Sequence, residues 1–237
     1  MKYLDKLFKR ISKTSQSAFL LVISVILFIF VLWPLGAVLV KSFSVEGKFS
    51  FALYLEFFRS PRLFRCLLHS LFTSALTTTI SLFLGLSIVF VVNRSNAPFR
   101  RILSLGALLP LISPPFVTSL AFLLLFGRRG LVTYRLLGLD INLYGWKGIV
   151  FVQTLGHIPL AFLIISAMLM GIDGTLENAA YNLGASKWRV FRLVTLPLLV
   201  PGLISATLLI FIRAMADFGT PMLVGGNFQT LAPAAYL

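Results

Sequence analysis

Long apolar runs separated by shorter polar connections are the dominant pattern of the chain. Five runs reach the roughly 20 apolar residues that a helix needs to cross a bilayer. They lie near residues 18–40, 67–92, 102–126, 148–170 and 198–218. Because lipid offers the backbone no hydrogen-bond partner, such runs fold as helices. The pattern therefore predicts five membrane-spanning helices.

The basic residues between the runs predict an orientation. With the N-terminus inside, the inner segments carry 11 Lys and Arg and the outer segments carry 9. The basic residues of 1–17 stand beside the first run, and such a cluster usually sets the topology. No small-residue cleavage site follows that run, so we interpret it as a retained helix. We expect segments 1–17 and 171–197 to be cytoplasmic, and segments 41–66 and 127–147 to be external.

Composition places most of the surface in lipid. Hydrophobic residues make up 58% of the 237 residues and charged residues only 12%, more apolar surface than a soluble core of this size can bury. The net charge of +14 is spread between the apolar runs. Lipid headgroups and protein partners therefore account for the cations better than nucleic acid does. The single cysteine, Cys66, excludes an internal disulfide.

Prolines are frequent inside the predicted spans. They stand at Pro34, Pro110, Pro114, Pro115 and Pro159, three of them within LPLISPPF. Each removes a helix hydrogen bond, and the carbonyls freed in this way need a protein or water partner. This motif indicates either a helix that lines a cavity, with Pro110 and Pro114 as pathway candidates, or a purely structural kink.

The polar segment after the fourth run predicts a helix followed by a turn. Thr175 is a candidate N-cap, and Glu177 in the first turn suits the positive end of the helix dipole. Gly184 stands where a left-handed residue ends a helix. Ser186 can then cap a second helix.

The predicted second helix is short and amphipathic. Trp188, Phe191 and Val194 recur every three residues, and Pro197 and Pro201 open the next span. From the residues alone, 171–197 is either a helix–turn–helix that another protein approaches closely or an ordinary amphipathic loop at the membrane surface.

This segment resembles the EAA signature of bacterial ABC importer permeases. Ala179-Ala180, Gly184, Val194 and Leu196-Pro197 hold the motif's positions, whereas Asn178 replaces its glutamate and Glu177 immediately precedes it. The run FRSPRLFRCLLHSLFTSAL is similar to the entry into the second span of this family. The tail ADFGTPMLVGG most resembles ferric-iron permeases, in which two halves are often fused.

The resemblance implies a fold and a mechanism. The fold is an all-α polytopic membrane protein, a type I ABC importer transmembrane domain with a methionine-importer-like permease core over residues 18–237, one span short of the family's six. The EAA helices dock on an ABC ATPase dimer, a second permease half completes the pathway, and an extracytoplasmic binding protein delivers substrate. The chain itself is expected to be a multi-pass protein of the bacterial inner membrane. The residues expected to carry the ATPase contact are Glu177, Asn178, Ala179, Ala180, Gly184, Ala185, Ser186, Leu196 and Pro197.

No catalytic function is expected of this chain. It has no G-x-x-x-x-G-K-[ST] loop, so ATP would be bound by the partner subunit, and we expect no cofactor here. A ferric-iron substrate rests on the tail alone; thiamine, a polyamine or an oxyanion stay open. An ion-coupled secondary transporter is a weaker alternative, because neither inverted repeats nor buried acidic residues stand out.

Arg213 and Asp217 are intramembrane charges with i,i+4 spacing near the end of the fifth run. Charges at such depth mark either structural pairs or pathways, so the two residues are a helix-internal ion pair or a gate or substrate contact. His69 and His157 are far apart, and we interpret each as a packed or interfacial polar residue.

Overall fold

The computed structural model describes residues 16–45, 47–95, 97–139 and 143–236. It divides into two compact units, Met1–Pro61 and Arg62–Leu237. Five helices are long and apolar enough to cross a membrane. The fold class predicted from the sequence, an all-α polytopic membrane protein, is confirmed.

The first unit contains one spanning helix, one small hairpin and one short helix. Helix α1, Gln16–Ser42, contains a π-helical turn at Phe28–Leu32, and none of the residues in the span is buried. Strands β1 (Ser44–Val45) and β2 (Lys48–Phe49) pair antiparallel and lead to helix α2, Ala52–Arg59. This hairpin is the one departure from an all-helical chain among the described residues, and stacking of Phe43 on Phe49 supports it.

The second unit holds the other four spanning stretches and several short helices. Its helices are α3 (Pro61–Arg94), α4 (Arg100–Leu108), α5 (Pro115–Phe126), α6 (Trp146–Met170), α7 (Gly174–Asn182), α8 (Lys187–Met215), α9 (Gly219–Val224) and α10 (Leu231–Tyr236). A π-helical turn at Leu131–Leu136 follows α5. Within α8, residues Phe191–Thr195 are π-helical.

The predicted third span, 102–126, is not one helix. Helix α4 ends at Leu108, a 3-10 turn covers Leu109–Ile112, and Ser113 and Pro114 are extended before α5 begins. The proline pair at 114–115 explains the break, because a residue before proline is driven out of the helical region. The stretch that can span here is Phe116–Leu136 instead.

Helix α6 lies at the centre of the core. Buried aliphatic side chains of α6, such as Ile165, pack with Val89 of α3 and with Leu199 and Ile210 of α8. Three spanning helices, α3, α6 and α8, therefore share this packed interior, while their other faces remain apolar and exposed, as lipid contact requires.

The buried face of α3 is made of small and hydroxyl-bearing residues. Its members are Cys66, Ser70, Thr73, Ser74, Thr77, Thr78, Ser81, Gly85 and Val89. Several hydroxyls bond within the helix, as when Thr78 Oγ1 donates to the Ser74 carbonyl at 2.7 Å. A Cβ at Gly85 would lie 2.5 Å from that of Ala161 on α6, so the two backbones approach closely. Small residues at helix contacts are typical of membrane bundles.

Candidate functional site

The segment 171–197 forms two helices joined by a tight turn. Asp173, not Thr175 as predicted, is the N-cap of α7: it is extended, and its carboxylate accepts the Thr175 backbone N–H at 2.9 Å. Hydrogen bonds from the backbone and the side chain of Thr175 lower the pKa of the Asp173 carboxyl. Asp173 is the cap because it stands immediately before the first helical residue, Gly174, and its carboxylate is a charged acceptor that the helix dipole also favours.

The turn has the geometry that the sequence predicts. Gly184 has φ of +81°, Ala185 N donates to the Ala180 carbonyl at 3.1 Å, and Gly184 N donates to the Tyr181 carbonyl at 2.9 Å. These two bonds define a Schellman ending, which requires a left-handed residue at this position. Ser186 then accepts the Arg189 N–H at 3.4 Å, so its predicted role as a cap is confirmed.

The second helix is not a separate short element. Lys187–Met215 is continuous, so the predicted short helix is the N-terminal end of the fifth span. Pro197 accounts for the π-turn before it, because its ring clashes with the carbonyl four residues earlier and widens the helix. The Leu196 N–H accordingly bonds the Phe191 carbonyl.

Most of the predicted coupling residues face outward. Exposed among them are Asn178, Ala179, Gly184, Ser186 and Pro197, and half-buried are Ala180, Ala185 and Leu196. Large apolar side chains accompany them on the surface of this polar segment: Leu176, Tyr181, Leu183 and Trp188. Leu183 is 89% exposed and Trp188 68% exposed. Several large exposed apolar side chains on one polar segment are typical of a protein contact.

Glu177 departs from the other coupling residues because it is 8% exposed. Its carboxylate accepts hydrogen bonds from Arg94 at 3.0 Å and from Thr195 at 2.8 Å. Neither partner follows from the sequence pattern, since Arg94 lies on α3 and Thr195 in the π-turn of α8.

The second group of candidates meets at a cavity of about 460 Å³. Three of the four pathway candidates line it: Pro110, Arg213 and Asp217. Pro114 does not, although its neighbours Ser113 and Phe116 do. The proline-broken segment between α4 and α5 therefore forms one wall, and the cavity-lining interpretation holds for Pro110.

Arg213 and Asp217 do not form the i,i+4 ion pair. Helix α8 ends at Met215, so Asp217 lies beyond the last turn, where helical spacing no longer applies. Its Oδ1 accepts the Thr220 N–H at 3.1 Å, and its Oδ2 accepts Gln153 Nε2 at 3.0 Å. In the described part of the chain, the Arg213 guanidinium has neither an ion pair nor a hydrogen bond.

Two further polar residues of α6 line this cavity: Gln153, which the sequence pattern did not single out, and His157, interpreted above as a packed or interfacial residue. Gln153 is buried and links three groups, because it also accepts the Thr77 hydroxyl at 3.1 Å and donates to the Ala214 carbonyl at 3.3 Å. His157 is half-buried, with Nδ1 2.6 Å from the Gln153 carbonyl oxygen. Gln153 and His157 are four residues apart, one helical turn, within an apolar run, and this spacing is the sequence signal that places both on one face of α6.

His69 packs at the opposite end of α3 from Arg94. Its ring stacks on Phe228 at 3.9 Å, and Nδ1 lies 2.9 Å from the Gln229 carbonyl oxygen. The interpretation of His69 as a packed polar residue is confirmed.

Comparison with known proteins identifies the family to which the chain is similar. The family model described as "Binding-protein-dependent transport system inner membrane component" matches residues 78–237. The ferric transport system permease protein FbpB of Actinobacillus pleuropneumoniae is 32% identical over 222 residues, which cover 92% of this chain and 32% of FbpB. The molybdenum transport system permease protein ModB of Escherichia coli K12 is 35% identical over 179 residues, which cover 73% of this chain and 78% of ModB.

Solved structures agree on the fold. The crystal structure of a bacterial ABC transporter that imports alginate has a TM-score of 0.71 and 18% identity, covering 96% of this chain and 82% of its own. The structure of the MetNI methionine ABC transporter has a TM-score of 0.54 and 20% identity, and the match covers 75% of this chain and 82% of the transporter chain. The chain spans about a third of the length of the ferric transport permeases that it matches. It belongs to the inner-membrane components of binding-protein-dependent transport systems, as a multi-pass protein of the bacterial inner membrane.

Proposed function

We propose that this chain forms one half of the translocation pathway of an ATP-driven importer, docks through residues 171–197 on a separate ATPase dimer, and passes an anionic cargo through the Arg213 cavity. A second permease half, fused or separate, completes the pathway, and an extracytoplasmic binding protein delivers the cargo. One observation carries the proposal: a single helix, α8, bears the exposed Trp188 at one end and the cavity-lining Arg213 at the other.

The docking surface supports an ATPase partner. It consists of exposed apolar side chains beside small residues, Ala179 and Gly184, so that another protein can approach the backbone closely. The family match includes this whole segment. The alginate transporter and the methionine transporter of the same fold are both named as ABC transporters.

The charge of the cavity favours an anion. Both oxygens of Asp217 are held by hydrogen bonds within the chain, whereas the Arg213 guanidinium is left for a ligand. A bare ferric ion prefers several oxygen ligands, and no group of three or more His, Cys, Asp or Glu that could hold a metal occurs in the described residues. An oxyanion, or a ferric ion carried with an anionic ligand, suits a free guanidinium.

The relatives are consistent with both cargoes, since one serves a ferric and the other a molybdenum transport system. Cationic cargoes such as thiamine or a polyamine are disfavoured by the same free guanidinium. An ion-coupled transporter would need no ATPase, so co-purification separates that alternative from ours.

Uptake by the assembled importer tests the pathway. The chain, its second permease half and its ATPase are placed in proteoliposomes and the binding protein is added. Uptake of labelled molybdate, ferric citrate and putrescine is then measured with and without ATP. We expect ATP-dependent uptake of one of the two anions. Arg213→Gln should lower it about tenfold or more, the loss of one charge-assisted hydrogen bond, while Arg213→Lys retains part of it.

Arg135→Gln is the matched control, because it removes an exposed cation that does not line the cavity. Uptake of putrescine alone, or unchanged anion uptake by Arg213→Gln, would contradict the anionic pathway. Absence of an ATPase from the purified complex would contradict the importer itself.

Sidedness is a separate prediction. Ser186 belongs to the segment expected in the cytoplasm, and Arg135 to the segment expected outside. In a Cys66→Ala background, a cysteine at Arg135 should react with an impermeant thiol reagent in intact cells, and one at Ser186 should react only after lysis. The reverse pattern would place the docking surface on the wrong side for an ATPase.

A further inference from the structure

The carboxylate of Glu177 joins three elements at one atom. Its Oε1 accepts a hydrogen bond from Arg94 Nη2 at 3.0 Å and one from the Thr195 hydroxyl at 2.8 Å. Arg94 is the last residue of α3, Thr195 ends the π-turn of α8, and Glu177 stands in the first turns of α7. The docking segment is thereby tied to the ends of the second and fifth spans.

This link is the main attachment of α7. Glu177 is the only buried residue among the nine residues of that helix. A helix whose other residues are exposed or half-buried has little apolar packing to hold it in place, so a charged hydrogen-bonded contact dominates its attachment.

The contact between Arg94 and Glu177 is also costly to break. The Arg94–Glu177 pair is the one ion pair among the described residues, and the carboxylate side chain is 11% exposed. A buried carboxylate is tolerated only when it is paired and hydrogen-bonded, so removing either partner is costly. Arg94 is also well placed because a cation at the end of α3 suits the negative end of its dipole.

Arg94 is itself anchored to the core. The neighbouring Asn93 donates to Ser166 of α6 at 3.1 Å, which fixes the end of α3 against the central helix. A displacement of α7 therefore reaches α3 and α6 through Glu177 and Arg94, and reaches α8 through Thr195.

We propose that Glu177 is a positioning residue that transmits movement of the docked segment 171–197 to the second and fifth spans. This rests on the proposed function, since it assumes an ATPase on that segment. It differs from the contact role expected of Glu177, because a buried carboxylate does not reach the partner. In this proposal the movement is transmitted through the ion pair within the permease. The exposed residue at the motif's glutamate position is then Asn178.

The test measures cargo imported per ATP hydrolysed. In the reconstituted importer, Glu177→Ala should lower this ratio about tenfold, as expected for the loss of a charge-assisted hydrogen bond. Arg94→Gln should lower it similarly, and the double variant Arg94→Gln/Glu177→Ala should do no worse than the worse of its two single variants, because both changes break the same link. Glu56→Gln, a carboxylate on the exposed helix α2, should leave the ratio unchanged.

A second measurement requires neither import nor ATP. Hydrogen exchange of the amides at 183–186 in the purified complex should speed up in Glu177→Ala and in Thr195→Val, which removes only the hydroxyl. Glu177→Gln, whose amide oxygen can still accept from Thr195, should exchange more slowly than Glu177→Ala.

Three results would overturn the proposal: an unchanged ratio in Glu177→Ala, additive losses in the double variant, or a loss of transport that only follows a loss of bound ATPase. The last would assign Glu177 a purely structural role. If the wild-type chain itself captures no ATPase, the proposed function fails; a working wild type whose variants keep its ratio refutes only the role of Glu177.

Discussion

Gly184→Val is expected to reduce the ATPase that co-purifies with this chain by about tenfold, while the protein still inserts in the membrane. Gly184 has φ of +81°, and a Cβ there would meet nothing within 4 Å. The penalty is therefore conformational rather than steric crowding. A non-glycine residue in the left-handed region costs about 1–2 kcal/mol, and a β-branched residue more, so the turn between α7 and α8 opens.

Gly174 provides the matched control in the same segment. It also has open space around its Cβ position, but its φ is not positive. Gly174→Ala should therefore bind the ATPase normally, whereas Gly184→Ala should not, and Gly184→Asn should be intermediate because asparagine tolerates this region. Normal capture of the ATPase by Gly184→Val would disprove the assignment of this turn to docking.

The second large effect is expected in the core. Gly85→Val should destabilise the protein in detergent by about 1–3 kcal/mol, the range for overpacking, and lower its melting temperature. The added Cβ would lie 2.5 Å from the Ala161 Cβ and 3.3 Å from the Phe162 backbone nitrogen, so α3 and α6 must separate. Thermal unfolding followed by size-exclusion chromatography measures the shift.

Gly36→Val is the control, since Gly36 lies in the spanning helix α1 with nothing within 4 Å of its Cβ position. Moving the methyl group with Gly85→Ala/Ala161→Gly should recover part of the stability lost in Gly85→Ala. Equal melting temperatures for Gly85→Val and Gly36→Val would show that the two helices do not need this close contact.

Local chemistry predicted the parts of the site that depend on neighbouring residues. The left-handed turn at Gly184 and the cap at Ser186 follow from a few adjacent side chains and the shape of a helix end, and both are confirmed. The cap at the start of α7 is predicted at Thr175 from its hydroxyl and its position, but the structure has it at Asp173. The stronger acceptor, Asp173, was two residues earlier.

Contacts distant in sequence could not be predicted in this way. Glu177 and Arg94 are 83 positions apart, and no periodicity relates them. The expected pair of Arg213 with Asp217 failed for a related reason. Helix α8 ends at Met215, and Asp217 lies beyond that end and accepts the Thr220 N–H, so helical spacing does not relate it to Arg213.

Hydropathy located the apolar runs but not where each helix begins. In the run at 102–126 the prolines predict a kink or a cavity-lining helix, but hydropathy does not distinguish a kinked span from one divided at Ser113–Pro114. Likewise, the amphipathic residues before Pro197 belong to the same helix as the fifth span, because a π-turn absorbs the proline instead of ending the helix.

The continuity of α8 gives the molecule a lever. At about 1.5 Å per residue, roughly 37 Å of helix separates Trp188 from Arg213. A tilt of about 5° at the Trp188 end would swing the guanidinium by about 3 Å over that length. This is about the length of one hydrogen bond, so in the importer proposed above a small rotation imposed on the docking segment would be enough to make or break a contact at Arg213.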